Sequence, residues 1–559
     1  MTAPATIVEI FLRRVRDDGP RAALLAKCDG SFQAGTWNEI AADVKRAAAV
    51  LCKLGVQPGD RVAHLSENRY EWIVADLAIQ FSQAIHVPIH APLTGPQIVW
   101  QVRDCGAKVL LISGPQQLAK LLPLECELAA DLQVVAYDHC DTPLAGRRVL
   151  DLAELMQAEP ESAGDDLFQS AARSLTPESL ATILYTSGTT GEPKGVMLTQ
   201  GNLATNAVAT VAAFDEGGSD PPHEKLRLNL LPLSHIYART CDFYAWLVEG
   251  SQLALAESRE TVLADCAAVR PTFINAVPYF YDKVYRALCE QKRENEAGAL
   301  QAIFGGRIRR CCCGGAALPV HLYDYYLAQQ LPLLLGYGLS ETSPVISLST
   351  AQHHRRNASG RLLPGVEVRI AGDGEILTRG PHVMSGYYKN PAATAETIHD
   401  AWLHTGDLGR LDEDGFLFIT GRKKEILVTT GGKNIAPVYL ESLLTQDPLI
   451  LQAIVVGDGR NCLAALIVPN PDVLRSEIIS RQIPVTSRDE ALIHPQVLSL
   501  YADRIADRLS AVASFEQVRH FKLLSRGFTV ESGELTPKLT LRRKVIEANF
   551  APEIAAMYG

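Results

Sequence analysis

The residues best suited to chemistry form one short segment, residues 185–195, which reads YTSGTTGEPKG. Three glycines and four serine or threonine hydroxyls in eleven positions make a flexible loop that is rich in hydrogen-bond donors. Backbone N–H groups and hydroxyls can surround phosphate oxygens, and Lys194 adds a positive charge. Because Pro193 rather than glycine precedes Lys194, the segment is not a Walker A loop. The pattern predicts a phosphate-binding loop and disfavours a plain solvent-exposed turn.

A second segment, GYGLSET at residues 336–342, follows the apolar run at residues 331–335. Its glycines match only part of the dinucleotide-binding pattern G-x-G-x-x-G, because Glu341 stands at the third glycine position. A carboxylate oxygen is a ligand that Mg²⁺ prefers. In isolation Glu341 would be an ordinary surface glutamate, but its place after a Gly-Tyr-Gly turn favours a functional role.

These two segments resemble the signature motifs of the adenylate-forming (AMP-binding) enzyme superfamily, and in particular those of long-chain fatty acyl-CoA synthetases. Three further matches occur in the family's order: LPLSHIYART at 231–240 resembles the acyl-site segment, TGD at 405–407 the ribose segment, and GRKKE at 421–425 the interdomain hinge. The resemblance implies ligation of a fatty acid to CoA through an acyl-adenylate, with ATP and CoA as co-substrates and Mg²⁺ as the cofactor. The products would be acyl-CoA, AMP and pyrophosphate.

The resemblance also implies a role for each matched residue. Those expected around the ATP phosphates are Thr186, Ser187, Gly188, Thr189, Thr190, Lys194 and Thr342. Those expected around adenine are Gly314, Gly315, Ala316, Tyr337 and Gly338. Glu341 is the implied Mg²⁺ ligand, Asp407 is the implied acceptor for the ribose hydroxyls, and Arg422 would reach the ribose or a phosphate.

The implied hinge and acyl site lie in the later matches. Lys424 aligns with the pivot about which the family rotates its small domain between two half-reactions, and Gly431 aligns with the wall of the pantetheine tunnel. His235, with Tyr237 and Arg239, aligns with the place where the acyl pocket meets that tunnel. A lone histidine after a strand is more often structural, and only the family match assigns His235 a catalytic role.

The sequence departs from the family pattern at three places. Ala238 replaces a common glutamate, and Arg239 stands where some fatty acyl-CoA synthetases carry a gating tryptophan. The family's catalytic lysine is expected three residues after Pro537, but Thr540 stands there. Lys538 is the predicted substitute, with Lys544 or an arginine as the alternative. The aromatic segment at residues 273–281 fits either an acyl tunnel or core packing.

These residues need a scaffold, and the surrounding pattern predicts an α/β fold. Helical periodicity from Trp37 to Leu54 is followed by strand-like and helical segments in alternation: a strand at 62–65, a helix at 71–85, a strand at 86–90, a helix at 97–104 and a strand at 109–113. Residues 365–421 predict a β-rich closing block with Asp-Gly turns. We expect a large multi-subdomain α/β domain over residues 1–421, a hinge at 422–424 and a small mobile α+β domain over 425–559.

Composition narrows the functional class. The 559 residues carry a net charge of −10, which disfavours a nucleic-acid partner and leaves small-molecule substrates. Twelve cysteines are too few for a disulfide scaffold, and the run Cys311–Cys313 predicts a buried strand. No apolar run reaches about 18 residues, so a transmembrane segment is not expected. The predicted location is the cytoplasm; peripheral contact with the inner membrane surface and the oligomeric state stay open.

Two rival functions remain at this point. A fatty acyl-AMP ligase would deliver its acyl group to a carrier protein instead of CoA, and the unbroken spacing of residues 423–433 favours CoA. A non-catalytic lipid-binding relative would have lost the catalytic residues, but Lys194, Glu341, Asp407 and Arg422 are all present.

Overall fold

The computed structural model describes residues 6–160, 162–186, 193–214, 221–258, 260–430, 433–529, 532–535 and 541–559. Within this part of the chain, a nine-stranded and an eight-stranded sheet, each with a parallel centre, organise the large domain. A five-stranded antiparallel sheet closes it. The mixed α/β architecture predicted from the alternating pattern is therefore confirmed.

The three sheets of the large domain have the following strands in spatial order. The nine-stranded sheet contains Arg361–Leu362, Val345–Leu348, Leu333–Gly338, Arg310–Cys313, Phe273–Ala276, Leu226–Asn229, Gln252–Leu255, Ala22–Cys28 and Ser31–Thr36. The eight-stranded sheet contains Gly386–Tyr387, Lys194–Thr199, Leu180–Thr186, Ile85–His90, Arg61–Ser66, Val109–Ile112, Gln133–Ala136 and Leu150–Asp151. The antiparallel sheet contains Glu367–Ile370, Glu375–Arg379, Trp402–Leu411 and Ile398–His399, with Leu417–Arg422 also paired to Trp402–Leu411.

The large domain also contains the helices that pack on its sheets. They are Ile7–Asp18, Trp37–Lys53, Tyr70–Phe81, Gly95–Cys105, Pro115–Leu121, Leu152–Gln157, Asp165–Ser174, Gln200–Phe214, Ile236–Ala238, Ala245–Glu249, Val262–Val269, Pro278–Glu290, Ala299–Ile303, Val320–Ala328 and Pro391–Thr397. A π-helical turn spans Arg239–Tyr244, and 3₁₀ turns span Leu122–Glu127, Pro222–Glu224, Ser340–Thr342 and Lys423–Glu425.

The helix Trp37–Lys53 shows how the local sequence builds this scaffold. Thr36 caps it in a reciprocal box, because its hydroxyl accepts from the Glu39 N–H while the Glu39 carboxylate accepts from the Thr36 N–H. Trp37 and Val44 belong to its buried stripe and face the main core. The predicted helix at 71–85 is wrong at its end: the helix stops at Phe81, and Gln83 turns the chain with a φ of 57°.

The predicted β-rich block is confirmed, and one long strand in it went unforeseen. Trp402–Leu411 runs between the predicted strands and pairs with Glu375–Arg379 on one side and Leu417–Arg422 on the other. Its sequence WLHTGDLGRL mixes apolar and polar positions without strict alternation. The three cysteines at 311–313 are buried in the strand Arg310–Cys313, as predicted.

A chain of polar side chains, which we call the buried relay, joins the eight-stranded sheet to the π-helical turn. The Arg239 guanidinium donates to Asp76, and His86 Nδ1 lies 2.6 Å from the same carboxylate. His64 Nδ1 lies 3.0 Å from His86 Nε2, and the Tyr137 hydroxyl oxygen lies 2.7 Å from His64 Nε2. Burial, with Arg239 nearby, lowers the pKa of His86 to about 4, so this imidazole is neutral at physiological pH.

The C-terminal part of the chain forms a smaller α+β domain. Its strands are Leu427–Val428, Asn434–Ile435, Ile450–Val456, Leu463–Pro469 and Val518–Leu523. Its helices are Pro437–Leu444, Pro471–Ser480, Arg488–Ile493, Pro495–Arg508, Arg543–Asn549 and Ala551–Tyr558, with a 3₁₀ turn at Ser514–Glu516. Across all described residues, no helix is both long and apolar enough to cross a membrane.

Candidate active site

The glycine- and hydroxyl-rich segment connects two antiparallel strands. Leu180–Thr186 leads into it and Lys194–Thr199 leads out, and Thr186 pairs directly with Lys194. The Thr186 hydroxyl donates to the Lys194 carbonyl at 3.4 Å. Ser187, Gly188, Thr189 and Thr190 lie outside the described residues, so their predicted phosphate contacts stay predictions. The strand pair does place Thr186 and Lys194 side by side.

Glu341 lies close to this hairpin, on the 3₁₀ turn Ser340–Thr342 that follows the strand Leu333–Gly338. Tyr387 donates its hydroxyl hydrogen to Glu341 Oε1 at 2.8 Å. The Lys194 ammonium lies 4.9 Å from the centroid of the same tyrosine ring. One aromatic side chain thus contacts both the predicted phosphate lysine and the predicted metal ligand.

Thr342, in the same turn, is fully buried. Its hydroxyl accepts from the Leu339 N–H at 2.9 Å and donates to the Pro344 carbonyl at 2.6 Å. These bonds shape the turn that presents Glu341. The predicted contact between Thr342 and a phosphate oxygen would require this hydroxyl to give up one of these two hydrogen bonds.

Asp407 is held between two predicted nucleotide residues. The Tyr337 hydroxyl donates to Asp407 Oδ2 at 2.8 Å, and Arg422 Nε lies 3.0 Å from Asp407 Oδ1. Asp407 is only 2% exposed, and its burial raises the pKa of this carboxyl despite the neighbouring guanidinium. Three residues predicted to surround the nucleoside are therefore in direct contact.

Two glycines allow close backbone approach beside this cluster. A Cβ on Gly338 would lie 1.7 Å from the Pro344 carbonyl oxygen, so no larger residue fits there. A Cβ on Gly314 would lie 3.2 Å from a ring carbon of Tyr237. Gly315, with a φ of 78°, and Ala316 continue the same segment after the strand Arg310–Cys313.

The Gly314 contact brings the predicted acyl segment against the predicted adenine segment. His235 caps the short helix Ile236–Ala238, and its Nδ1 accepts from the Tyr237 N–H at 3.2 Å. That bond gives His235 a structural role, while its predicted catalytic role stays a prediction. Arg239, four residues on, is fully buried in the relay.

The aromatic segment at residues 273–281 is largely core. Phe280 and Tyr281 are buried, and the Tyr281 hydroxyl donates to the Cys312 carbonyl at 2.7 Å. Tyr279 is exposed. Of the two interpretations left open for this segment, these contacts favour core packing.

The predicted hinge begins where the strand Leu417–Arg422 ends. Lys423 Nζ lies 2.6 Å from Asp373 Oδ2 and 2.9 Å from Glu375 Oε2, and these bonds raise the pKa of the lysine. Lys424 is exposed beside it. Gly431 lies outside the described residues.

Lys538 also lies outside the described residues. Leu535 and Leu541, the described residues on either side of it in the sequence, form an antiparallel bridge. The alternative, Lys544, is exposed on the helix Arg543–Asn549. The assignment of the adenylation lysine therefore stays a prediction.

With this geometry in place, comparison with known proteins identifies the family. Residues 11–388 match the AMP-binding enzyme family, and residues 424–559 match the AMP-binding enzyme C-terminal domain. This chain belongs to the AMP-binding enzyme family. A long-chain-fatty-acid–CoA ligase of Mycobacterium bovis, FadD15, is 34% identical over 100% of this chain and 98% of its own length. A human long-chain-fatty-acid–CoA ligase, ACSBG1, is 27% identical over 99% of this chain and 85% of its own length.

Solved structures of the same fold cover nearly the whole AMP-binding enzyme chain. The anthranilate CoA ligase AuaEII aligns with a TM-score of 0.79 at 21% identity, covering 99% of this chain and 98% of its own. ATP-bound MatB from Rhodopseudomonas palustris aligns with a TM-score of 0.75 at 22% identity, covering 98% and 99% respectively. At these identities the likeness establishes the fold: a large N-terminal and a smaller C-terminal domain.

The carboxylate of Glu341 fits a hard cation. Its Oε1 accepts from Tyr387, and among the described residues Oε2 has no hydrogen-bond partner. Mg²⁺ usually takes one or two protein carboxylates and fills its other positions with water and substrate phosphates. A single carboxylate oxygen that has no partner among the described residues, beside the hairpin predicted to bind phosphate, suits that requirement.

Tyr387 is the residue that sequence reasoning missed. It lies on the two-residue strand Gly386–Tyr387, in a GYYKNP stretch that carries no catalytic pattern. The pairing of Tyr387 with Val196, a residue of the strand Lys194–Thr199, reveals that Tyr387 reaches the site.

Proposed function

We propose that this AMP-binding enzyme is an AMP-forming long-chain fatty acid–CoA ligase that works through an acyl-adenylate. The observation that carries the proposal is the meeting of Lys194 and Glu341 on Tyr387, beside the Tyr337–Asp407–Arg422 cluster. These are the groups that an ATP-dependent activation of a carboxylate needs. The full-length similarity to long-chain ligases supports the choice of acid.

In the first half-reaction, a fatty-acid carboxylate oxygen attacks the α-phosphorus of ATP, and the bond to the bridging oxygen of pyrophosphate breaks. Lys194 offsets negative charge on the phosphates, while Asp407 accepts hydrogen bonds from the ribose hydroxyls. Arg422 and Tyr337 hold Asp407 in place. Mg²⁺, held by Glu341, would supply further charge neutralisation at the phosphates.

In the second half-reaction, the CoA thiol sulfur attacks the acyl carbonyl carbon, its proton is released, and AMP leaves. The active site must therefore contact different protein groups in the two half-reactions. We place the hinge for this rearrangement at residues 422–424, between the proposed domains 1–421 and 425–559. Lys538 would contribute its charge during adenylation, and the stretch around Gly431 would line the pantetheine path during thioester formation.

The test is palmitate-dependent exchange of labelled pyrophosphate into ATP, followed by addition of CoA and detection of palmitoyl-CoA. A panel from acetate to long-chain acids reads out the chain length. Glu341→Gln, which keeps the side-chain shape, is the matched variant and should lower the exchange rate by about 10²–10³-fold.

Each rival gives a different result. Accumulation of acyl-AMP without thioester on addition of CoA would indicate a fatty acyl-AMP ligase. No exchange with any acid, together with retained fatty-acid binding, would indicate a non-catalytic lipid-binding relative.

A further inference from the structure

Tyr387 contacts two side chains of opposite charge. Its hydroxyl donates to Glu341 Oε1 at 2.8 Å, and its ring lies 4.9 Å from Lys194 Nζ. The side chain is nearly buried, at 7% exposure. It thus meets the glutamate with its hydroxyl and the lysine with its ring.

Backbone hydrogen bonds fix this placement from both sides. The Ser385 N–H donates to the Met197 carbonyl at 3.0 Å, which ties the segment to the lysine strand. The Met384 N–H donates to the Glu341 carbonyl at 2.9 Å, which ties the same segment to the glutamate turn. Backbone bonds therefore hold the segment of Tyr387 against both residues that its side chain contacts.

Separation matters because lysine and glutamate attract each other. A direct ion pair between Lys194 and Glu341 would neutralise the charge that the lysine needs for a phosphate and the glutamate for a metal ion. In the described part of the chain, neither Lys194 nor Glu341 takes part in an ion pair. The tyrosine ring offers the ammonium a weaker, replaceable partner, since cation–π contacts hold a cation without neutralising it.

The hydroxyl has a second effect, on the carboxylate. By occupying Oε1 it limits rotation of the group and leaves Oε2 as the presented oxygen. A tyrosine hydroxyl is protonated across the physiological range, so it remains a hydrogen-bond donor to Glu341.

We propose that Tyr387 is a positioning residue with two effects. It orients Glu341 toward the catalytic metal ion, and it keeps Lys194 from forming an ion pair with Glu341. This inference rests on the proposed function, because it assigns the metal to Glu341 and the phosphates to Lys194. It adds a residue that none of the matched signature segments contains.

The test measures binding of Mn²⁺, by electron paramagnetic resonance, to the full-length protein with a non-hydrolysable α,β-methylene ATP analogue. Tyr387→Phe keeps the ring and removes the donor, so we expect Mn²⁺ binding to weaken by about 5–20-fold while metal-free nucleotide binding changes by less than about twofold. Tyr387→Leu removes ring and donor, so Lys194 and Glu341 can pair, and both affinities should fall.

The matched control is the neighbouring tyrosine. The Tyr388 hydroxyl contacts the Cys105 carbonyl at 3.4 Å, and its side chain packs against a separate apolar cluster. Tyr388→Phe should therefore bind Mn²⁺ and nucleotide as the wild type does. An equal loss in both phenylalanine variants would indicate a packing effect and overturn the proposal.

Two further outcomes separate this inference from the proposed function. If the wild type binds Mn²⁺ with nucleotide and Tyr387→Phe binds it equally well, the positioning role is wrong and the proposed function stands. If the wild type itself binds no Mn²⁺ with nucleotide, the metal role and the inference both fall. In pyrophosphate exchange, adding Tyr387→Phe to Glu341→Gln should cause little further loss, and a fully additive loss would contradict the proposal.

Discussion

Arg422 lies directly opposite Asp407 in an antiparallel strand pair, with Arg422 Nε 3.0 Å from Asp407 Oδ1. Asp407 is buried in the large domain, whereas Arg422 is exposed and is the first residue of the proposed hinge. The predicted ribose acceptor is therefore connected by one ion pair to the first hinge residue. A change in the backbone at the proposed hinge would therefore alter a contact of the predicted nucleotide site.

Asp407→Asn should weaken ATP binding while the fold persists. The amide loses an acceptor for one ribose hydroxyl and the ion pair with Arg422, so we expect the KM for ATP in pyrophosphate exchange to rise by about tenfold or more. Asp414→Asn, at the exposed hairpin turn of the same strand pair, is the control and should leave this KM unchanged. An unaltered KM in Asp407→Asn would refute the ribose assignment.

Lys424→Pro should separate the two half-reactions. Proline fixes φ near −65° and removes an N–H, which restricts rotation at the proposed pivot. We expect either adenylation or thioester formation from supplied acyl-AMP to survive, measured separately, while Lys424→Ala keeps both. Equal loss of both half-reactions in the proline variant would point to misfolding or to a direct catalytic role.

Lys538→Ala should suppress acyl-AMP formation and leave thioester formation from supplied acyl-AMP largely intact. The reason is loss of the cation that offsets charge on the carboxylate and α-phosphate during adenylation. Lys544→Ala, which lies on the exposed face of the following helix, serves as the comparison. Normal adenylation by Lys538→Ala together with loss in Lys544→Ala would transfer the role to Lys544.

Asp76 and Arg239 form a buried ion pair, and removing only one of the two charges should destabilise the fold. Asp76→Asn leaves the guanidinium buried without its counter-ion, which typically costs about 3–5 kcal/mol of unfolding free energy. Adding Arg239→Met removes the unpaired charge and should recover much of that loss. Urea unfolding of the two single variants and the double variant measures this coupling, and additive losses would argue against it.

Glu249 should make stability depend on pH. Lys225 and Arg227, at 3.0 and 2.7 Å, outweigh burial and lower the pKa of this carboxyl to about 2. A lowered folded-state pKa stabilises the protein fully above the unfolded value near 4.5, and the contribution declines as pH falls toward 2. The Tm difference between wild type and Glu249→Gln should therefore be largest near pH 6–7 and shrink below about pH 4.5. A constant difference across this range would contradict the assignment.

Some features of this protein follow from short stretches of sequence. The capping box of Thr36 and Glu39, the cysteine strand at 311–313 and the Asp-Gly turns are local, because a few neighbouring residues satisfy their hydrogen bonds or bury their side chains. The signature segments are local too, since a phosphate loop or a glycine turn needs its residue types in a fixed order. For that reason the α/β fold and the family could be recognised before any tertiary contact was known.

Other features depend on contacts between residues far apart in the chain. Tyr387 reaches Glu341 only because a two-residue strand pairs with the lysine hairpin, and Arg239 finds Asp76 only where the π-helical turn packs on the helix Tyr70–Phe81. No local spacing encodes such pairings, because the partners are selected by the packing of whole sheets and helices. Sequence alone thus determined the fold class and which residue types were available for the chemistry, whereas the tertiary structure decided which charges meet, which are buried and which are kept apart.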